Sequence, residues 1–242
     1  MKSLATQDWW DKHNEATRFE IAQSWDSVRK WIEHYVPRGS GKAFEIGCYP
    51  GRYLAVLGEM GYELSGVDLS PGTSTHLVQW LAGKGYRVGA IQEADYFNCA
   101  IEPSYDVVMS FGFIEHFTDW SSVLQRHLSH LKPGGLMVVS CPNFRGSCQL
   151  ALRRWLDPEN LKRHNIDAMD PQAWAADMEG RSAEIVWKGH FGVFGFHVEP
   201  QRRSILQRAC VRGLEVASPW LRRLLPDSPR WSPYAGIVVR KH

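Results

Sequence analysis

Glu45-Ile46-Gly47-Cys48-Tyr49-Pro50-Gly51, followed by Val67-Asp68, decides the fold of this chain. Lys42-Ala43-Phe44-Glu45-Ile46 is a short, mostly apolar run that stops at a glycine, which reads as a buried strand feeding a tight turn. Arg52 to Leu57 then reads as the opening of a helix. A glycine-bearing turn between strand and helix lets a ligand approach the backbone closely. A second apolar run, Glu63 to Val67, ends in Asp68, 23 positions after Glu45. An acid at that distance is placed to accept hydrogen bonds from a ribose diol. The unit therefore suits an adenosine-type cofactor.

A pyrophosphate-binding turn carries G-x-G-x-x-G, and that pattern is absent: Gly47 and Gly51 are four apart with Tyr49 between them. Glu45, two positions before the first glycine, repels phosphate and favours an ammonium or a sulfonium. At these residues the chain resembles the class I S-adenosylmethionine methyltransferases, whose first motif is E/D-x-G-x-G-x-G. Glu45, Gly47 and Gly51 match it, and Tyr49 replaces the middle glycine. Further motifs follow in the family's order. Glu93-Ala94-Asp95-Tyr96-Phe97 follows a third run, Tyr86 to Ile91. Tyr105 to Ser110 reads as a fourth strand and continues into Phe111-Gly112-Phe113-Ile114-Glu115-His116-Phe117. This segment is similar to the "EH" segment of the ubiquinone-biosynthesis O-methyltransferase branch and its small-molecule relatives. Leu131-Lys132-Pro133-Gly134-Gly135 turns into a fifth strand, Leu136 to Ser140, like the family's "LKPGG" segment.

The resemblance implies an α/β fold: a Rossmann-like, seven-stranded mixed sheet flanked by helices, with the last strand antiparallel beside the sixth. It implies S-adenosyl-L-methionine as cofactor and S-adenosyl-L-homocysteine as product. Glu45 would hold the cofactor's amino-acid part, with Gly47, Tyr49 and Gly51 forming the turn. Asp68 would take the ribose hydroxyls and Asp95 the adenine amine, with Leu69 or Tyr96 against the ring. Ser110 closes strand four on the cofactor side, and Trp10 belongs to an N-terminal lid.

His116 follows strand four, where the acceptor side begins, and histidine can take a proton near neutral pH. It is the candidate general base. Asn143, His164, Asn165 and His190 are further polar candidates, each read singly as structural; Glu115 reads as a backbone-binding carboxylate and His127 as a packed histidine. Methyl transfer from a sulfonium needs alignment, a dry pocket and often proton removal. It needs no metal, and the sequence shows no clustered His/Asp/Glu ligand set, so no metal is expected.

The 242 residues suit one domain spanning 1–242. Within it, 1–40 reads as a helical lid, 41–142 as the cofactor-binding core, 143–182 as an acceptor-side insertion, and 183–242 as C-terminal strands with basic helices. Ile21, Trp25, Val28, Trp31, Ile32 and Tyr35 recur at helical spacing, so a helix is expected from Ile21 onward. Ser70-Pro71 reads as a capped helix start, with the helix running to about Ala82. Asp170-Pro171 reads as another start, Glu184 to Trp187 as the sixth strand, and Ala235 to Val239 as the last. The Phe/Gly run His190 to His197 reads as packing at a sheet edge.

Hydrophobic content of 44% and charged content of 22% argue against disorder. No apolar run is long enough to cross a bilayer, and Met1 to Trp10 lacks a signal-peptide core. Cys48, Cys99, Cys141, Cys148 and Cys210 form no C-x-x-C, which suggests reduced thiols in a cytoplasmic protein. From Gln201 to His242 nine Lys/Arg face two acids, so the tail carries +7 against −5 elsewhere. Such an end attracts nucleic acid, phosphorylated substrates or an anionic membrane, or is a solvated face. Pro219 to Leu225 is short, basic and amphipathic, and admits peripheral membrane contact.

The function expected is methylation of an oxygen or nitrogen on a small molecule or a glycan- or lipid-linked metabolite, by metal-independent in-line displacement. A nucleic-acid methyltransferase is disfavoured because Ser110-Phe111-Gly112-Phe113 stands where amino methylases carry an N/D-P-P-Y/F segment. A non-catalytic S-adenosylmethionine-binding protein rests on Tyr49 alone. A nicotinamide oxidoreductase is disfavoured by the missing pyrophosphate motif. Oligomeric state is not readable from the sequence.

Overall fold

The computed structural model of the chain describes residues 3–15 and 18–242. Met1 and Lys2, in the stretch read for a signal peptide, and the side chains of Lys12 and His13 lie outside the described residues. Two helices, α1 (Gln7–Glu15) and α2 (Ser27–Tyr35), precede the sheet. The core then alternates β1 (Lys42–Ile46), α3 (Leu54–Glu59), β2 (Glu63–Asp68), α4 (Val78–Gly83), β3 (Val88–Glu93), β4 (Tyr105–Phe111), α5 (Trp120–Ser129) and β5 (Leu131–Pro142). The chain continues through α6 (Ser147–Leu156), α7 (Pro158–Leu161), α8 (Pro171–Met178), β6 (Ala183–Phe191), α9 (Ile205–Leu224) and β7 (Tyr234–Lys241).

The seven strands form one sheet in the order β3-β2-β1-β4-β5-β7-β6. Neighbours from β3 to β5 are parallel, and β7 runs antiparallel between β5 and β6, as the sequence reading expected. The central strands are buried on both faces, which is why β1 and β2 read as continuous apolar runs. One face packs on Ile32, Leu54, Leu57, Leu77 and Leu81. The other joins Phe44, Ile46 and Val108 to Val123, Leu124 and Trp174. The edge strand β6 alternates half-buried and exposed residues over most of its length.

Three local expectations need correction. The N-terminal helix starts at Ser27 rather than near Ile21, because the Asp26 carboxylate caps it, accepting from Val28 N (2.8 Å) and Arg29 N (3.1 Å). Ile21 and Ala22 lie outside the helix, where Ala22 N donates to Arg52 O at 3.2 Å. Ser70 does not cap a helix. Its own N–H donates to Asp68 Oδ1 at 2.7 Å, Gly72 sits at φ 88°, and helical winding begins as a π-turn at Thr73–Leu77. The Lys132–Gly135 turn is a bulge within β5: Leu131 faces Tyr105, and Leu136 then faces Val107.

Asp170 caps α8, accepting from Gln172 N at 3.0 Å, with Pro171 in its first turn. In the Phe/Gly run, Phe191 stacks on Trp31 (4.6 Å between centroids) and Tyr234 (5.3 Å), so it packs the sheet.

Candidate active site

The site opens at the carboxyl ends of the parallel strands, where the order reverses between β1 and β4; ligands of open α/β sheets bind in that crevice. Gly47 leaves β1 at φ 72° and donates to Val67 O at 2.9 Å. A Cβ there would stand 3.2 Å from the Phe113 ring, so a side chain would press on the wall of the site. Gly51, at φ 87°, would place a Cβ only 2.4 Å from Leu77 Cδ1. Asp68 ties the two turns together: Oδ2 accepts from Tyr49 N (3.0 Å) and Oδ1 from Ser70 N (2.7 Å). Tyr49 therefore occupies the middle-glycine position with its backbone fixed and its ring edge-on to Phe19 at 5.6 Å.

Burial raises the Glu45 carboxyl well above the ordinary range, and the nearby Asp68 raises it further. Asp68 is itself raised by burial, against its hydrogen bonds from Ser70 and Tyr49. Glu45 Oε2 is buried with no hydrogen-bond partner, and among the described residues no Lys or Arg pairs with either acid. Two adjoining carboxylates, one with an orphaned oxygen, repel a phosphate and suit a cation.

Beside this turn lies a cavity of about 300 Å³. Eight of the expected residues line it: Trp10, Gly47, Tyr49, Asp68, Leu69, Asp95, Tyr96 and His116. Glu45, Gly51 and Ser110 do not. Asp95 caps a 3-10 turn, accepting from Phe97 N (2.9 Å) and Asn98 Nδ2 (3.0 Å), and Leu69 is 49% exposed at the rim. The Tyr96 ring forms part of the wall, and its hydroxyl points into a buried network: it donates to His130 Nε2 at 3.2 Å and lies 3.3 Å from His127 Nδ1. His127 Nδ1 donates to Val123 O (2.8 Å), so Nε2 accepts from Ser110 Oγ (3.0 Å). Ser110 thus braces the wall from behind, and His127 is a packed histidine, as expected.

Sequence reading missed two groups of lining residues. Phe111, Gly112 and Phe113 stood inside a quoted motif without being singled out. Ser3, Ala5 and Gln7 reach the cavity because the N-terminus pairs with the loop after β4: Ser3 bridges Phe117, and Leu4 N donates to His116 O at 2.8 Å. No local pattern marks that pairing. Trp10 lies edge-on to His116 at 5.1 Å, and the Arg163 guanidinium sits 4.5 Å from the Trp9 ring.

At this end the structure corrects the expectation of no clustered ligand set. Glu115, His116 and His164 bring one ligand atom each within 4.8 Å of the others. His116 Nδ1 donates to Arg163 O (3.0 Å) and His164 Nδ1 to Asn160 O (2.7 Å), which leaves each Nε2 as a lone pair. Glu115 is 1% exposed with neither oxygen hydrogen-bonded, and Oε1 lies 3.9 Å from His116 Nε2. Burial lifts Glu115 to about 8 and lowers His116 to about 4 and His164 to about 3, so all three are neutral at pH 7. The set offers a proton acceptor, and its ligand types are those a divalent transition metal takes. The other polar candidates are structural: Asn143 holds Pro229 O and Ser232 O (3.0 Å each), and Asn165 Nδ2 holds Phe117 O (3.0 Å). His190 lies outside the cavity lining.

Residues 19–186 match the methyltransferase domain family. The ubiquinone biosynthesis O-methyltransferase of Thiobacillus denitrificans is 28% identical over 141 residues, covering 56% of this chain and 58% of that protein. The enzyme of the same name from Stutzerimonas stutzeri is 25% identical over 137 residues, with the same shares. The chain thus spans little more than half the length of these curated relatives. Among solved structures, an S-adenosylmethionine-dependent methyltransferase from Archaeoglobus fulgidus superposes with a TM-score of 0.52 at 21% identity, covering 88% of this chain and 93% of that one. The mitomycin 7-O-methyltransferase superposes at 0.53 and 15% identity, covering 85% and 50%. These two show the fold. With a family match across most of the chain and the glycine turn, acids and cavity in place, the chain belongs to the methyltransferase domain family.

Proposed function

We propose that the protein methylates an oxygen of a small molecule, with Glu45, Asp68 and Asp95 holding the cofactor and His116 accepting the acceptor's proton. The observation that carries this reading is that Asp68 and His116 line one cavity, with the uncompensated Glu45 buried against Asp68 behind the glycine turn. The bound cofactor would supply an activated methyl carbon on a positively charged sulfur. Asp68 keeps lone pairs beyond its two backbone hydrogen bonds and takes ribose hydroxyls. Asp95 accepts from the adenine amine, with the Tyr96 ring as a flat wall. Glu45 compensates a positive charge through the turn from behind Gly47. Gly51 keeps that turn compact, and Ser110 fixes Tyr96's backing through His127.

His116 presents an unprotonated Nε2 at neutral pH, and its Nδ1–H···O=C bond fixes the ring. Trp10 and the Ser3–Gln7 strap cover this end and exclude water. Residues 1–40 then act as a lid and 143–182, which supply His164, as the acceptor wall. The O-methyltransferase names of the relatives support an oxygen acceptor. The basic helix α9 does not line the cavity, which supports a small molecule over a nucleic acid. Five free cysteines support a reducing, cytoplasmic setting, and among the described residues no helix is long and apolar enough to cross a membrane.

The test is methyl transfer from radiolabelled S-adenosylmethionine to a panel of phenolic and catecholic acceptors, with and without a chelator. His116→Gln is expected to lower the rate about 10²–10⁴-fold while cofactor binding persists. Transfer to amines only would overturn the oxygen acceptor. Loss of activity in chelator, restored by a divalent ion, would make His116 a ligand instead of a base.

A further inference from the structure

α9 is a 20-residue helix with no buried residue. Its N-terminus is closed by a capping box: Ser204 Oγ accepts from Gln207 N (3.2 Å), and Gln207 Oε1 accepts from Ser204 N (2.9 Å). One side leans on the body of the protein, where Cys210, Leu214 and Leu221 are half-buried. Gln207 Nε2 holds Trp155 O at 2.7 Å, and Arg222 Nε holds Phe194 O at 3.0 Å. The helix is anchored at both ends, so its outer face has a fixed direction.

That outer face is apolar. Ile205 is 79% exposed, Leu206 68%, Val216 64%, Trp220 66% and Leu224 76%. At about 100° per residue, Leu206, Gly213, Trp220 and Leu224 fall within one narrow stripe, with Ile205 and Val216 along its margin. Arg212 and Arg223 are exposed on that same margin, and the Arg223 guanidinium lies 5.8 Å from the Trp220 ring. Against them the helix carries a single acid, Glu215, already paired with Arg212 at 3.5 Å. Scattered exposed apolar residues need no explanation, but a stripe this long on a soluble surface does.

The surface is convex. A helix that docks on a protein needs a groove to receive it, whereas the headgroup boundary of a bilayer receives a cylinder lying flat. Tryptophan and leucine enter that boundary while arginines at the margin meet lipid phosphates. We infer that α9 docks the protein on an anionic lipid bilayer, with Leu206, Trp220 and Leu224 inserted and Arg212 and Arg223 on the phosphates. The inference stands apart from the methyl-transfer chemistry: α9 lies beyond the residues that match the methyltransferase family.

Flotation of the full chain tests it, using vesicles of phosphatidylcholine alone and of phosphatidylcholine with phosphatidylglycerol. The intact protein is expected to float with the phosphatidylglycerol vesicles and to stay behind with the neutral ones. Trp220→Glu with Leu224→Glu should abolish flotation. Arg212→Gln with Arg223→Gln should weaken it more than about tenfold, since each arginine near an anionic surface strengthens binding about fivefold. All four side chains point to solvent, so both variants should keep the circular dichroism and S-adenosylmethionine binding of the parent. Equal flotation of parent and Trp220/Leu224 variant would overturn the inference. So would failure of the parent to float, including the case where an acidic protein binds α9 instead.

Discussion

Glu115 and His116 are neighbours in the chain, and burial drives them in opposite directions. The carboxyl rises to about 8 and the imidazole falls to about 4, so between these values both are neutral. Above pH 8 Glu115 ionises, 3.9 Å from His116 Nε2, and its charge then favours an imidazolium. The methyl-transfer rate should therefore climb as pH passes about 8, by about tenfold for each 1.4 kcal/mol of imidazolium stabilisation. Glu115→Gln should flatten that climb, and a rate profile that keeps it would remove Glu115 from the proton path. The acid limb should fall near pH 4 instead of 6.5. The same shift acts on stability. The folded carboxyl titrates above its ordinary value of 4.5, so the folded state binds more protons between 4.5 and about 8. The stabilisation from neutral Glu115 is whole below 4.5 and is lost as pH rises through 8. Chemical denaturation at pH 6 and pH 9 should show that loss in the parent and not in Glu115→Gln.

At the scale of elements, the turn after β1 and the cap of α2 serve different ends. Gly47→Ala forces a side chain into φ 72° against Phe113, and should cost more than about 1 kcal/mol of stability together with much of the cofactor affinity. Asp26→Ala removes a cap and an ion pair to Arg52 at 3.0 Å, and should cost about 1–2 kcal/mol with cofactor affinity unchanged. Urea denaturation and binding titration on both variants separate the two. What could be read from sequence follows the same physics. β1, β2 and β4 were legible because strands buried on both faces are unbroken apolar runs. The start of α2 was not, because the apolar spacing runs on through Ile21 and Trp25 past the Asp26 cap. The length of α9 was hidden too: the reading picked out only the short amphipathic stretch Pro219 to Leu225, yet the helix runs from Ile205, with tertiary anchors at Trp155 and Phe194.

Over the whole molecule, the seven-stranded mixed sheet with its antiparallel last strand was legible through the family resemblance carried by the ordered motifs, and the structure bears it out. The acceptor end was not. His164 stands 48 residues beyond His116, in the segment where the resemblance fades, and only the folded chain shows the two rings 4.8 Å apart. Nor does any pattern foretell that Ser3 pairs with Phe117 to cover the cavity. Because the N-terminal strap, the glycine turn and the loop after β4 converge on one cavity, ligand binding should stabilise the entire fold. S-adenosylhomocysteine at a hundred times its Kd should add about 2.7 kcal/mol, seen as a higher Tm, and NADH should add nothing.

The most direct measurement is calorimetric titration of the folded protein with S-adenosylmethionine, S-adenosylhomocysteine and NADH, alongside Asp68→Ala. Saturable binding of both sulfur compounds, weakened at least about tenfold in the variant and absent for NADH, is the predicted result. Folded protein that binds neither sulfur compound, or binds them equally well without Asp68, would contradict the assignment of this cavity to the cofactor.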